Sequence, residues 1–154
     1  MEQAHCQIDD IDREILRILQ GDARASYLEI ARKLRVSGGT IHARLARLRE
    51  EGLLRGSALR LDYARLGYGV SAFIGLKLVR AHDCGTLMAK LDTLPEVLEV
   101  HYTTGAYSLF IKVIATSMQD LHRILFDRLQ GFDEIQSTET FIILDTSLDR
   151  QLEL

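Results

Sequence analysis

The chain has 154 residues, 47% hydrophobic and 27% charged, which suits one modest globular domain or two small ones. The net charge of −3 conceals a division, with 12 Lys and Arg against 10 Asp and Glu up to Arg65 and 7 against 12 from Leu66 onward. There is no apolar run of about 18 residues and no signal-peptide pattern in the opening residues, and Cys6 and Cys84 stand alone, so a cytoplasmic protein with no membrane span and no metal centre is expected.

Ile8, Ile11, Ile15, Ile18 and Leu19 recur at helical spacing, with Asp9 or Asp10 placed to cap the start and Gly21 to end the run. Ser26-Tyr27-Leu28-Glu29 is a capping box that opens a second, short helix with Ile30 and Leu34 inward, ending near Arg35. Ser37 then caps a third helix through the amide of Thr40. On that helix Ile41, Leu45 and Leu48 share one stripe, while Gly39, Ala43, Ala46 and Arg47 lie on the far side.

Such a segment is either an ordinary amphipathic surface helix or one that docks on one face and reads DNA with the other. Small side chains let a backbone sink into a major groove about 12 Å wide while arginines reach bases and phosphates. Arg32 to Arg55 holds seven basic residues against Glu50 and Glu51, and three helices with a tight turn between the last two form a helix-turn-helix pattern. The expected partner is therefore double-stranded DNA. Gly38, Gly39, Thr40, His42 and Ala43 are expected near the groove floor, Arg44 and Arg47 on bases or phosphates, and Lys33 and Arg35 on phosphates, with Ser37 among the DNA-binding residues. Arg47, opposite the apolar stripe, reads as the least structural of these, whereas His42 fits plain solvation equally well.

Gly52 closes the third helix, and Leu53–Leu61 reads as an extended segment of a winged-type module covering residues 1–61. Residues 62–69, D-Y-A-R-L-G-Y-G, have the composition of a linker, and 70–154 form the second domain. There the pattern predicts a strand over Val70–Val79 and a helix over Asp83–Thr93 with Leu87, Met88, Leu91 and Leu94 inward. Strands over Val97–Thr104 and Tyr107–Ala115 meet in a hairpin at Gly105-Ala106. A helix capped by Ser117 then buries Leu121, Ile124, Leu125 and Leu129, and a last strand covers Ile135–Leu144. The order β-α-β-β-α-β predicts a ferredoxin-like sheet and an α+β chain overall. One sheet face stays open, with Phe73, Ile111 and Val113 among its candidates, and homodimerisation through it is the expected cover.

Three stretches carry a resemblance to the Lrp/AsnC family of transcriptional regulators over essentially the whole chain: I-D-D-I-D-R-E-I-L-R-I-L-Q-G-D-A-R (Ile8–Arg24), V-S-G-G-T-I-H-A-R-L (Val36–Leu45) and T-T-G-A-Y-S-L-F-I-K-V (Thr103–Val113). Gly39–His42, Phe73–Gly75 and above all Tyr102–Val113 and Asp133–Thr140 are similar to its asparagine-responsive branch. The resemblance implies a C-terminal effector-binding RAM domain, a ring of four dimers, no catalysis, and a free amino acid, asparagine, as allosteric effector between dimers. It implies effector contacts at Tyr102, Thr104, Gly105, Ala106, Tyr107 and Ser108, and at Gln130, Gln136, Thr138 and Glu139. The chemistry is suitable, because a glycine turn offers amides to a carboxylate, Gln, Ser and Thr match a neutral amide, and Glu139 matches an ammonium.

The chain departs from the family pattern at Gly38, where proline is common, and at Gly105-Ala106-Tyr107-Ser108, where many relatives carry G-D-Y-D and asparagine-type ones tend to have His in place of Ala106. The alternatives are a broader leucine-responsive regulator and a non-DNA-binding amino-acid-sensing subunit of a biosynthetic enzyme. No grouping of His5, His42, His82, His101 and His122 suggests catalysis or a metal.

Overall fold

A computed structural model describes residues 6–154; the first five, which include His5 and the start read against a signal peptide, lie outside the described residues. The chain divides into two compact units, one running to Arg60 and taking in Asp149–Leu154, the other Leu61–Leu148. The last six residues, expected in the second domain, thus pack with the first instead. Among the described residues no helix is long and apolar enough to cross a membrane.

The first unit contains α1 (Asp10–Gly21), α2 (Tyr27–Leu34) and α3 (Gly38–Glu50). Asp9 caps α1, and its carboxylate and that of Asp12 form a reciprocal capping box. Ser26 and Glu29 do the same for α2. Ser37 Oγ accepts the Thr40 amide at 3.0 Å and meets Thr40 Oγ1 at 2.8 Å, which holds the start of α3 at Gly38 without a proline. Ile15, Ile30, Ile41 and Leu45 interlock as the core, one inward stripe from each helix. Gly52, at φ +73°, ends α3 in the left-handed conformation, and the Leu54 amide returns to the Leu48 carbonyl at 2.9 Å. Leu53–Leu61 forms no strand, because no neighbouring strand takes up its backbone groups.

The second unit contains β1 (Val70–Leu78), α4 (Cys84–Leu91), β2 (Val97–Tyr102), β3 (Leu109–Ala115), α5 (Met118–Arg123) and β4 (Ile135–Ile143). A 3-10 turn at Ala81–Asp83 leads into α4, and a π-helical turn at Ile124–Leu129 extends α5. The sheet is antiparallel throughout, in the order β2-β3-β1-β4. That is the predicted ferredoxin-like arrangement. Ala72, Ile74, Leu76, Leu109, Ile111 and Val113 face Leu87, Leu91, Leu121, Ile124 and Leu129.

One inward assignment and one open-face assignment are corrected. Met88 is 43% exposed, lying off the narrow stripe that Leu87, Leu91 and Leu94 use. Ile111 and Val113 lie under the helices and not on the open face, because they pair with the buried Ile74 and Ala72 and paired residues share a face. The open face instead carries Phe73, Phe110 and Phe141, with ring centroids 5.7 and 5.9 Å apart from Phe110.

Candidate functional site

The third helix combines a buried stripe with a smooth outer face. Ile41, Leu45 and Leu48 are fully buried, whereas Gly39, His42, Ala43 and Ala46 are exposed. Of these four exposed positions only His42 carries more than a methyl group, and its imidazole meets the edge of Tyr27 at a centroid distance of 4.7 Å. Lys33 and Arg35 are exposed beside the turn. Arg35 itself makes the turn, at φ +55°, a left-handed conformation that an L side chain adopts at a cost of about 1–2 kcal/mol.

Arg44 and Arg47 are not free. Arg44 donates to Asp9 Oδ2 at 2.6 Å and to Asp12 Oδ1 at 2.9 Å; Arg47 donates to Asp12 Oδ2 at 2.6 Å and to the Gln7 carbonyl at 3.0 Å. Asp12, 1% exposed, is the most deeply buried charged side chain among the described residues, and both of its oxygens are occupied. Arg47, read from α3 alone as the least structural of the set, is thus tied to α1. A helical wheel of α3 shows the side away from its own apolar stripe, but not that the capped end of α1 lies there. The arginine side chains keep 24% and 39% of their surface exposed. The amide of Asp12, then the Arg44 guanidinium, holds the Asp9 carboxyl below the usual range.

In the second unit the predicted effector residues fall into groups. Between β2 and β3, Gly105 turns at φ +108°, Thr103 Oγ1 donates to the Tyr107 carbonyl at 2.9 Å, and the Ser108 amide reaches the Leu76 carbonyl of β1 at 2.9 Å. Tyr102, Thr104 and Ala106 are exposed around this turn. The Tyr107 ring lies flat across Gly75, where a Cβ would stand 2.6 Å from Cγ of the ring, and its hydroxyl donates to Glu139. That bond, followed by burial, raises the phenol above its ordinary value. Glu139 is opposite Gly75 on the open face; Thr138, opposite the buried Leu76, is on the helix side, as is Tyr102, opposite the buried Leu109. Gln130 follows the π-helical turn, its amide bonded to the Leu125 carbonyl at 2.9 Å, and Gln136 is exposed at the start of β4, beside an irregularity in its pairing. Within one chain the set therefore occupies both faces of the sheet.

Sequence reasoning missed Asp12 and Gly75. The signal for Asp12 is the i, i+3 pair Asp9 and Asp12 at the head of the first helix, where only Asp9 or Asp10 is considered, as a cap. Gly75 is a glycine in a strand interior, a position that often marks close approach of another group.

Replacing Asp12 by Ala is expected to cost about 2–3 kcal/mol in urea denaturation, less than for a fully buried pair because the arginines can rehydrate. The stabilisation from the depressed Asp9 carboxyl is complete above its unfolded value of about 3.9 and is lost as pH falls through the lower folded value. An Asp9→Asn chain should show a weaker pH dependence of unfolding in that acid window. Gly75→Ala should expel the Tyr107 ring, break its bond to Glu139, and return one phenol titration toward about 10, read by ultraviolet difference spectroscopy.

Comparison with known proteins agrees with this geometry. Residues 8–55 match the winged helix-turn-helix DNA-binding family and residues 71–152 the Lrp/AsnC ligand binding domain. The regulatory protein AsnC of Escherichia coli K12 is 44% identical over 94% of this chain and 95% of its own, and that of Haemophilus influenzae is 43% identical over 94% and 97%. The solved structure of E. coli AsnC superposes with a TM-score of 0.91 at 42% identity, covering 97% of this chain and all of the other. A transcriptional regulator of Neisseria meningitidis, solved as an L-Met complex, shares the fold with a TM-score of 0.86 at 24% identity, over 96% of each chain. With a helix-turn-helix module, a ferredoxin-like ligand-binding domain and this degree of identity along nearly its whole length, the chain belongs to the Lrp/AsnC family of transcriptional regulators and is not an enzyme.

Proposed function

We propose that the protein reads specific DNA sites through α3 and that free asparagine, bound at the C-terminal domain, alters its assembly or its grip on DNA in the cytoplasm. The observation that carries the DNA reading is the exposed set Gly39, His42, Ala43 and Ala46 on α3, flanked by the exposed Lys33 and Arg35 and the partly exposed side chains of Arg44 and Arg47. Small side chains at Gly39, Ala43 and Ala46 let the helix backbone approach base edges there, and the first-turn amides at Gly38 and Gly39 favour a phosphate. Ser37 and Thr40 complete the contacts at that end.

The effector reading rests on the residues around the hairpin. Gly105 and Ala106 offer amides to a carboxylate, Glu139 takes an ammonium, and Ser108, Thr104, Thr138, Gln130 and Gln136 match a side-chain amide. Their division between the two sheet faces supports a site completed by another copy of the chain. The open aromatic face at Phe73, Phe110 and Phe141 supports a homodimer, which places further copies within reach of the hairpin in an octamer of four dimers. The likeness to a same-fold protein solved with L-Met supports an amino acid, and the resemblance of the chain to the asparagine-responsive branch supports asparagine.

The test begins with a duplex selected by the wild-type chain from a random pool. Arg35→Gly relieves the left-handed strain and should raise the melting temperature while weakening binding to that duplex and lowering its salt dependence by about one counterion. Unchanged affinity would remove Arg35 from the DNA surface. Calorimetry should give heat with asparagine; no heat with asparagine, together with heat for leucine or methionine, would overturn the effector assignment.

A further inference from the structure

From Asp149 onward the chain leaves the effector domain and returns to the DNA-binding unit. Three side chains hold it there. Arg17 Nε donates to the Leu154 carbonyl at 2.7 Å, Gln20 Nε2 to the Leu152 carbonyl at 2.9 Å, and Arg60 to Asp149 Oδ2 at 2.6 Å. Arg17 and Gln20 are three residues apart on α1 and so share one side of that helix. Leu152 is 82% exposed, so the attachment is mainly polar and solvent-screened.

We infer that Asp149–Leu154 is a strap on α1 that fixes the reading helix and, on the asparagine reading above, carries effector occupancy to it. Two features of the chain lead there. First, α1 is a single helix of 12 residues, about 18 Å long, with the strap toward its C-terminal end and the Asp9 and Asp12 clamp on Arg44 and Arg47 at its N-terminal end. A stiff helix held at both ends transmits a tilt at one end to the other. Secondly, only residues 144–148 separate the strap from β4, the strand that carries Gln136, Thr138 and Glu139. A change in β4 therefore pulls on the strap through five residues.

The strap is weak enough to be switched. Each attachment is a surface hydrogen bond or an exposed ion pair, opposed by the entropy of ordering six residues, so docked and released forms are close in free energy. A small bias from the effector domain shifts such a balance, whereas a deeply buried segment would not respond.

The experiment uses the full chain, a chain ending at Leu148, and Gln20→Ala, which keeps the tail but removes one attachment. Amide hydrogen exchange is followed over α1, and affinity is measured for the duplex selected by the wild-type chain. Truncation should speed exchange in α1 by about five-fold and weaken DNA binding several-fold, with smaller changes of the same sign in Gln20→Ala. If the truncated chain does not fold, Gln20→Ala alone decides. Unchanged exchange in α1, or faster exchange with unchanged DNA affinity, overturns the strap. A wild-type chain indifferent to asparagine overturns the effector reading instead, and leaves the strap to be judged by exchange and affinity without ligand.

Discussion

The buried carboxylate of Asp12 is the constraint on which the DNA-binding unit depends. Apolar packing of Ile15, Ile30, Ile41 and Leu45 brings three helices together, but such packing is non-directional and tolerates rotation of one helix against another. A charge that is 1% exposed tolerates far less, because it must keep both guanidiniums in hydrogen-bonding geometry or bear an uncompensated desolvation cost. Asp12 also closes the capping box of α1, so one side chain sets where α1 begins and how α3 lies against it. The orientation of the reading helix is thus set by directional bonds on top of a forgiving core.

A parallel arrangement governs the ligand-binding unit. There the buried side of β1 supplies the core, while its other side offers Gly75, whose missing side chain is the space that Tyr107 fills. The ring bridges three elements: it leaves the hairpin, crosses β1, and reaches Glu139 on β4. With Phe110 and Phe141 at centroid distances of 5.9 and 6.4 Å, it continues the open aromatic face up to the hairpin. The turn proposed to receive the effector and the face proposed to receive a second copy therefore share one residue. On that proposal, occupancy of the one bears mechanically on the other.

What could be read from the sequence follows the range of the interaction responsible. Helix starts at Ser26 and Ser37 are local, since cap and amide lie three residues apart, and both lie where the pattern places them. The order of strands and helices follows from period and turn chemistry, and the antiparallel sheet order follows from that. Errors arise where the deciding partner is distant in sequence. The partner of Arg47 is 35 residues away, and the partners of the tail are more than 80 residues away. The open-face expectation for Ile111 and Val113 fails because alternation within β3 fixes which residues lie together but not which side the helices cover. That side is decided by register with β1. The candidate effector residues are a stronger case, because their two-faced distribution has no local signature.

The clamp bears on how an arginine can be structural and still serve recognition. A guanidinium has five N–H donors in a rigid plane, and Asp9, Asp12 and the Gln7 carbonyl engage the inner edges of Arg44 and Arg47. Arg44 is engaged at Nη1 and keeps 24% of its side chain exposed, whereas Arg47 is engaged at both Nη1 and Nη2, with Glu51 Oε1 also 3.4 Å from Nη1, and keeps 39%. A free surface arginine loses most of its rotamer freedom on meeting a phosphate or a base, at about 0.5–1.5 kcal/mol for each side chain immobilised. Arg44 and Arg47 have lost that freedom on folding, so on the proposed reading they meet DNA already aimed. The same bonds lower the positive potential they present, since Asp12 and Asp9 offset part of the charge. Such a pair favours geometry over attraction: modest affinity for any DNA, and a larger difference between a site that fits and one that does not.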